Sequence, residues 1–290
     1  MRLRPADLVD LVKRLYGRVR EDDVVGAAAE LAFRFFLALF PFLIFLAALG
    51  GFTADVLDIR NPTQEIMDEL GRSLPEDVES VLRKQLDAVI GSRDAGLVSF
   101  GIVATLFAAA SGVGTVMKET NRAYGVRETR PLLLRWALAL ALTVFGGVLL
   151  VAAFVVFVVG QVAGVRIAEE LGMGDAAARL FAFARWPAVS VVALTATSVL
   201  FWACPNVRQP FRWATPGGAL FTLGWLLASW LFALYVARFG SYNETYGTLA
   251  GVVLVLLWFY ISGLLLLLGA QLNALLDRLR EEAQAASEAA

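Results

Sequence analysis

The sequence predicts an all-α, polytopic membrane helical bundle of about six transmembrane helices, with an acidic helical loop outside the membrane. Two observations carry this. The chain of 290 residues is 59% hydrophobic and 18% charged, and its mean hydropathy of +0.69 is far above that of soluble domains. Its 25 Lys and Arg and 26 Asp and Glu are also clustered rather than scattered. Six stretches hold none of them: Phe35 to Ala54, Ala95 to Met117, Trp136 to Val165, Trp186 to Val207, Trp213 to Ala237 and Thr245 to Leu276. About 20 apolar residues cross a hydrocarbon core of about 30 Å, so each stretch reaches spanning length. Membrane barrels alternate apolar and polar positions, whereas Leu254 to Leu257 and Leu264 to Leu268 are apolar on every side.

The expected organisation is a cytoplasmic amphipathic segment over 1–30, a six-span membrane domain over 31–276 and a cytoplasmic tail over 277–290. The spans are placed at about 31–54, 95–117, 136–163, 186–204, 214–237 and 247–275. In the first segment Leu8, Val12, Leu15 and Val19 recur at helical spacing between Lys13, Arg14, Arg18 and Arg20, as in a helix lying at a membrane interface. No apolar h-region precedes Leu31, so the first span is expected to stay as an anchor. The loop 55–94 carries ten acidic residues against five basic ones, with a capping box at Ser73 and Glu76 and an apolar face from Val78 to Ile90. Lys and Arg are richer in the amino terminus, the second and fourth connections and the tail, which puts both termini in the cytoplasm.

Composition also excludes chemistry. The chain has one cysteine, Cys204, and no histidine, which removes disulfides, Cys/His zinc sites and imidazole catalysis. The net charge of -1 offers no basic field for nucleic acid. No phosphate-binding loop or dinucleotide fingerprint is present, and neither a cofactor nor a metal is expected.

Candidate binding residues are the polar groups at span ends. Glu30 and Arg34 share a face of the first span, which Pro41 interrupts further in. An arginine at hydrocarbon depth costs about 3 kcal/mol, so Arg34 either lies shallow, pairing with Glu30, or faces a polar cavity. Arg238, Asn243 and Glu244 lie in a short polar connection that fits a tight turn or an outer gate. Asn121, Arg122, Gln271 and Asn273 end spans on the cytoplasmic side, as caps and anchors or as the rim of a cavity. Lys118 joins Arg122 on one face only if the second span continues past Met117. The pairs Gly247/Gly251 and Gly160/Gly164 have the spacing of close helix contacts.

Several patterns in order resemble the YihY/BrkB family of bacterial inner-membrane proteins, some members of which carry a ribonuclease label. They are AAAELAFRFFLALFPFLIFLAALGGF from Ala27, NRAYGVRETRP from Asn121, CPNVRQPFRWATPGGAL from Cys204, FALYVARFGSYNETYGTLAGV from Phe232 and LLLLLGAQLNALL from Leu264. The resemblance implies a six-helix inner-membrane protein with cytoplasmic termini. It also implies an acidic residue near the end of the last span, where this chain has Gln271. The function expected is transport or flipping of an amphiphilic, anionic, lipid-like envelope molecule, with membrane lipids as surroundings. The alternatives are a structural or assembly protein docking an envelope partner or a second copy of itself, and a membrane-bound hydrolase or ribonuclease.

Overall fold

The computed structural model describes residues 5–56, 95–170, 174–238 and 248–288. The expected loop 55–94 and the positions Asn243 and Glu244 therefore lie, wholly or nearly so, outside the described residues. Among those described there are seven helices and no strand: α1 Pro5–Glu21, α2 Val24–Val56, α3 Ala95–Tyr124, α4 Leu132–Glu170, α5 Gly174–Ala203, α6 Pro216–Arg238 and α7 Thr248–Glu288. Six of them, α2 to α7, are long and apolar enough to cross a membrane. The expected helical bundle is thus what the chain forms. Helix α3 runs seven residues beyond Met117, so Lys118 and Arg122 are consecutive turns of one helical face. Pro41 does not break the first span but sits within the continuous helix α2.

The chain divides into two compact units. The first comprises 1–30, 113–229 and 261–290 and the second 31–112 and 230–260. In the second, Ala32, Ala38 and Ala110 are buried, and Phe35 packs against Gly112 with its ring 6.0 Å from that of Phe259. A small residue at 112 leaves room for that ring.

The first unit has the inside-out composition of a protein dissolved in lipid. Many of its buried positions are small or polar, among them Ala27, Ala28, Thr115, Thr120, Asn121, Thr197, Ser198, Ala270, Gln271 and Ala274, beside larger ones such as Met117, Phe201 and Leu267. Large apolar side chains such as Leu133, Phe183, Trp213 and Leu223 point outward. Lipid solvates Leu as well as a protein core does, so association relies on close approach and internal hydrogen bonds. Closest of all is the crossing of α6 and α7, where a Cβ on Gly217 would collide with the backbone oxygen of Gly269 and one on Gly269 with that of Gly217. Two local devices set up this crossing. Thr215 caps α6, its Oγ1 accepting the Gly218 N–H at 3.0 Å, and Pro216 occupies the first turn where a missing N–H costs nothing. The Gly217 N–H then donates across to Asn273 Oδ1 at 2.8 Å, while Asn273 Nδ2 donates to Thr215 Oγ1 at 3.0 Å. Gly251, singled out by its spacing, faces open space.

Candidate functional site

The polar side chains of the first unit gather where α3 ends. Gly125, at φ 66°, terminates that helix: its N–H donates to the Arg122 carbonyl at 2.9 Å and the Val126 N–H to the Asn121 carbonyl at 3.0 Å. This left-handed closure turns the chain away at once and leaves the last turn of α3 free for side-chain contacts.

A row of charges runs along that turn. Thr115 Oγ1 donates to Glu30 Oε1 at 3.2 Å, and Lys118 Nζ lies 3.3 Å from Glu30 Oε2 and 3.1 Å from Glu119 Oε1. Arg122 continues it, 3.5 Å from Glu119 Oε2 and 3.8 Å from Asp22 Oδ1. Asp22 Oδ2 in turn accepts from Gln271 Nε2 at 2.6 Å. Asp22 reaches this position because the next residue, Asp23, takes a left-handed conformation (φ 46°) between α1 and α2. The Asp23 carboxylate compensates by accepting the Gly26 N–H at 3.2 Å at the start of α2. The side chain of Glu119 is 5% exposed, against 62% for Lys118 and 48% for Arg122. The carboxylate is therefore internal while both cations reach outward.

What they reach into is a cleft of about 510 Å³, lined by Gly114, Met117, Lys118, Asn121, Arg122, Val126, Glu128 and Arg135. That volume is in the range of ligand sites. Three cations, Lys118, Arg122 and Arg135, stand in the lining against one carboxylate, Glu128, which Asn121 and Arg130 engage, and Gly114, Met117 and Val126 add apolar surface, so the excess of positive charge suits an anionic group carried on an apolar body.

Beside the cleft the connection after α3 is clamped to the one after α5. Asn121 accepts the Asn206 N–H at 2.6 Å on its oxygen and donates to Glu128 at 2.9 Å from its nitrogen. Arg130 places its guanidinium on the last carbonyls of α5 and beyond, Ala203 at 3.3 Å, Cys204 at 3.1 Å and Pro205 at 2.8 Å. One planar fork thereby satisfies acceptors that a helix end leaves open. Around Asp277, Arg212 at 3.4 Å, Arg280 at 3.0 Å and the Tyr124 hydroxyl at 3.3 Å tie α3, α7 and the segment before α6 together. They border a cavity of about 20 Å³, room for one water.

Of the residues singled out from the sequence, Glu30, Asn121, Arg122 and Gln271 come together here. Asn273 serves the α6 cap instead. Arg34 belongs to the second unit, where it is half-buried. Arg238 is the last residue of α6, and its side chain, like Asn243 and Glu244, lies outside the described residues. Reasoning from the sequence passed over Asp22, Glu119 and Arg135 as site residues. Lys118 and Arg122 were legible through their spacing of four; Asp22 was not, since its partners are 100 and 249 positions away.

Comparison with known proteins adds the following. The family model described as Virulence factor BrkB matches residues 15–290. A ribonuclease-like protein, YfkH, of Bacillus subtilis is 31% identical over 93% of this chain and 96% of its own length. A UPF0761 membrane protein of Alteromonas mediterranea is 27% identical over 96% of this chain and 91% of its own. One of Aromatoleum aromaticum is 30% identical over 95% of this chain and 65% of its own length. No solved structure matches.

Proposed function

The chain belongs to the Virulence factor BrkB family of membrane proteins, and we propose that within it this protein moves an anionic, lipid-like molecule across or out of a bacterial inner membrane. The observation that supports this is the cleft at the end of α3. Its cations Lys118, Arg122 and Arg135 stand beside Met117, Val126 and Gly114. Such a lining takes a phosphate or carboxylate head group and leaves an acyl-like body against apolar surface. Glu30 and Glu119 hold the two α3 cations in place when no head group is present. Arg238, Asn243 and Glu244 remain candidates for an opposite, outer gate.

Transbilayer movement in proteoliposomes tests the reading. Tail-labelled phosphatidylglycerol should reach the opposite leaflet faster with the protein than in empty vesicles, and faster than tail-labelled phosphatidylcholine, whose head group has no net charge. Equal rates with and without protein would sink it. The ribonuclease-like relative's name concerns RNA; in this chain, without histidine, hydrolysis would rest on carboxylates, and Glu128, the carboxylate lining the cleft, is bonded to Asn121 and Arg130, while Glu119 beside it holds Lys118 and Arg122.

We further propose cytoplasmic termini, on the distribution of Lys and Arg. Cys204 does not obstruct the labelling test. It is fully buried, and burial pushes its thiol up to about 12, against a smaller opposite influence of Arg130. A maleimide needs thiolate and access, so the folded protein should stay unlabelled near neutral pH and react only after unfolding. Single cysteines introduced in 55–94 should then label from outside intact spheroplasts, and ones in 277–290 should not; the reverse pattern inverts the orientation.

A further inference from the structure

The clamp between the two connections borders a second cleft, of about 670 Å³, that shares no lining residue with the first. Leu134 and Leu138, one turn apart near the start of α4, form an apolar wall with Val207, and Trp202 stands at the end of α5. The charged groups are Arg130 and Arg208, and among the described residues the lining holds no carboxylate. The two arginines are differently employed. Arg130 is held on the carbonyls after α5 and lies 4.0 Å from Glu128. The side chain of Arg208 is exposed and makes neither an ion pair nor a hydrogen bond among the described residues.

An anion ordinarily avoids the carboxyl end of a helix, where open carbonyls gather partial negative charge. Here each of them has a donor. The Leu200 carbonyl accepts the Cys204 N–H at 2.9 Å, those of Phe201 and Trp202 accept Gln209 Nε2 at 2.7 and 3.4 Å, and that of Ala203 accepts Arg130 at 3.3 Å. The end of α5 thus presents an amide and a guanidinium in place of bare oxygens, with Arg208 next to that glutamine. The aromatic residues mark the depth. Trp202, Phe211 and Trp213 form an edge-to-face chain with centroids 5.7 and 5.2 Å apart, and all three are exposed. Tryptophan is enriched at the level of lipid head groups, and here it coincides with the end of the α5 span and, across the cleft, the start of the α4 span.

We propose that this second cleft holds one anionic phospholipid of the surrounding leaflet, its phosphate on the Arg208 guanidinium and an acyl chain along Leu134 and Leu138. A guanidinium without a carboxylate partner offers a planar fork that a phosphate fills on two oxygens. The occupant is a lipid rather than a soluble phosphate because the leucines belong to a spanning segment, where the solvent is acyl chain. It is a resident molecule, separate from the one that the first cleft would move, and its site stands whether or not transport occurs.

Trp202 reports on this site. The whole protein is reconstituted in phosphatidylcholine vesicles with a small share of phosphatidylglycerol brominated near the ester end of one acyl chain, and compared with the same share of equally brominated phosphatidylcholine. Bromine quenches a tryptophan it touches, and lipids arranged at random around the protein quench alike, so a site that prefers the anionic lipid gives excess quenching by phosphatidylglycerol. A preference of about tenfold is expected, the effect of one charge-assisted contact. Arg208→Gln should bring the two lipids to parity, and Arg208→Lys should keep part of the preference. Trp202→Phe should remove the excess, since no tryptophan lines the first cleft, and it decides the matter if Arg208→Gln does not fold. Equal quenching by the two lipids in the unaltered protein overturns the proposal, as does an excess that survives Arg208→Gln or Trp202→Phe. Soluble glycerophosphoglycerol in large excess should leave the quenching as it is; release of the brominated lipid would assign the cleft to a free phosphodiester instead. Absence of transbilayer movement would remove the transport reading and leave these results untouched.

Discussion

Lys118→Gln combined with Arg122→Gln is expected to weaken binding of phosphatidylglycerol in the cleft by about a hundredfold and to abolish its transbilayer movement. Each cation supplies a charge-assisted contact worth about 1.5 kcal/mol at this half-exposed position, and two such contacts correspond to about two decades in affinity. Stability falls as well, since Glu119, 5% exposed, loses both partners and is left as an uncompensated carboxylate inside the protein. Adding Glu119→Gln separates the two effects. The triple variant should recover most of its melting temperature in detergent, because the most deeply buried carboxylate of the row is no longer charged, yet it should still fail to bind the probe. Recovery of binding together with stability would assign the row of charges to folding alone.

Gly217→Ala is expected to lower stability by about 3 kcal/mol, the upper part of the range for overpacking, because the added methyl meets a backbone oxygen of α7 rather than a side chain that can rotate away. For a chain of this size that is a fall of about 5 °C in Tm. Gly269→Ala should behave alike, as its methyl meets the Gly217 oxygen and the Phe201 ring. Gly251→Ala should do no harm, since nothing stands within reach of the added atom and alanine favours the helix by about 0.5–1 kcal/mol. Thermal melts in one detergent compare all three. Equal losses at 217 and 251 would mean that helix spacing, not this crossing, decides where glycine is required.

That contrast marks the boundary between what the sequence determined by itself and what needed the tertiary structure. Charge-free stretches of spanning length fixed the number and kind of helices, because removing a charged group or an unpaired peptide from water costs so much that the chain must announce its membrane segments one by one. The caps at Thr215, Pro216 and Gly125, though not singled out beforehand, are local in the same way, acting on the backbone within a turn of themselves. The same holds for Lys118 and Arg122, whose spacing of four puts them on one face once α3 is known to continue to Tyr124.

Partnerships between distant segments left no such trace. GxxxG spacing describes one helix surface, but a close crossing needs small residues on both helices at one depth, which Gly217 and Gly269 supply from segments 52 positions apart without that motif. Asn121 and Asn273 read as equal candidates for a polar rim, yet one clamps two connections and the other caps a neighbouring helix. Asp22 carried no signal of a site in the sequence, and only the approach of α3 and α7 gives it Arg122 on one side and the amide of Gln271 on the other. Local backbone chemistry acts over one turn and is written in consecutive residues, whereas a side chain's charge and hydrogen-bond partners are chosen by packing, which the order of residues along a single helix does not encode.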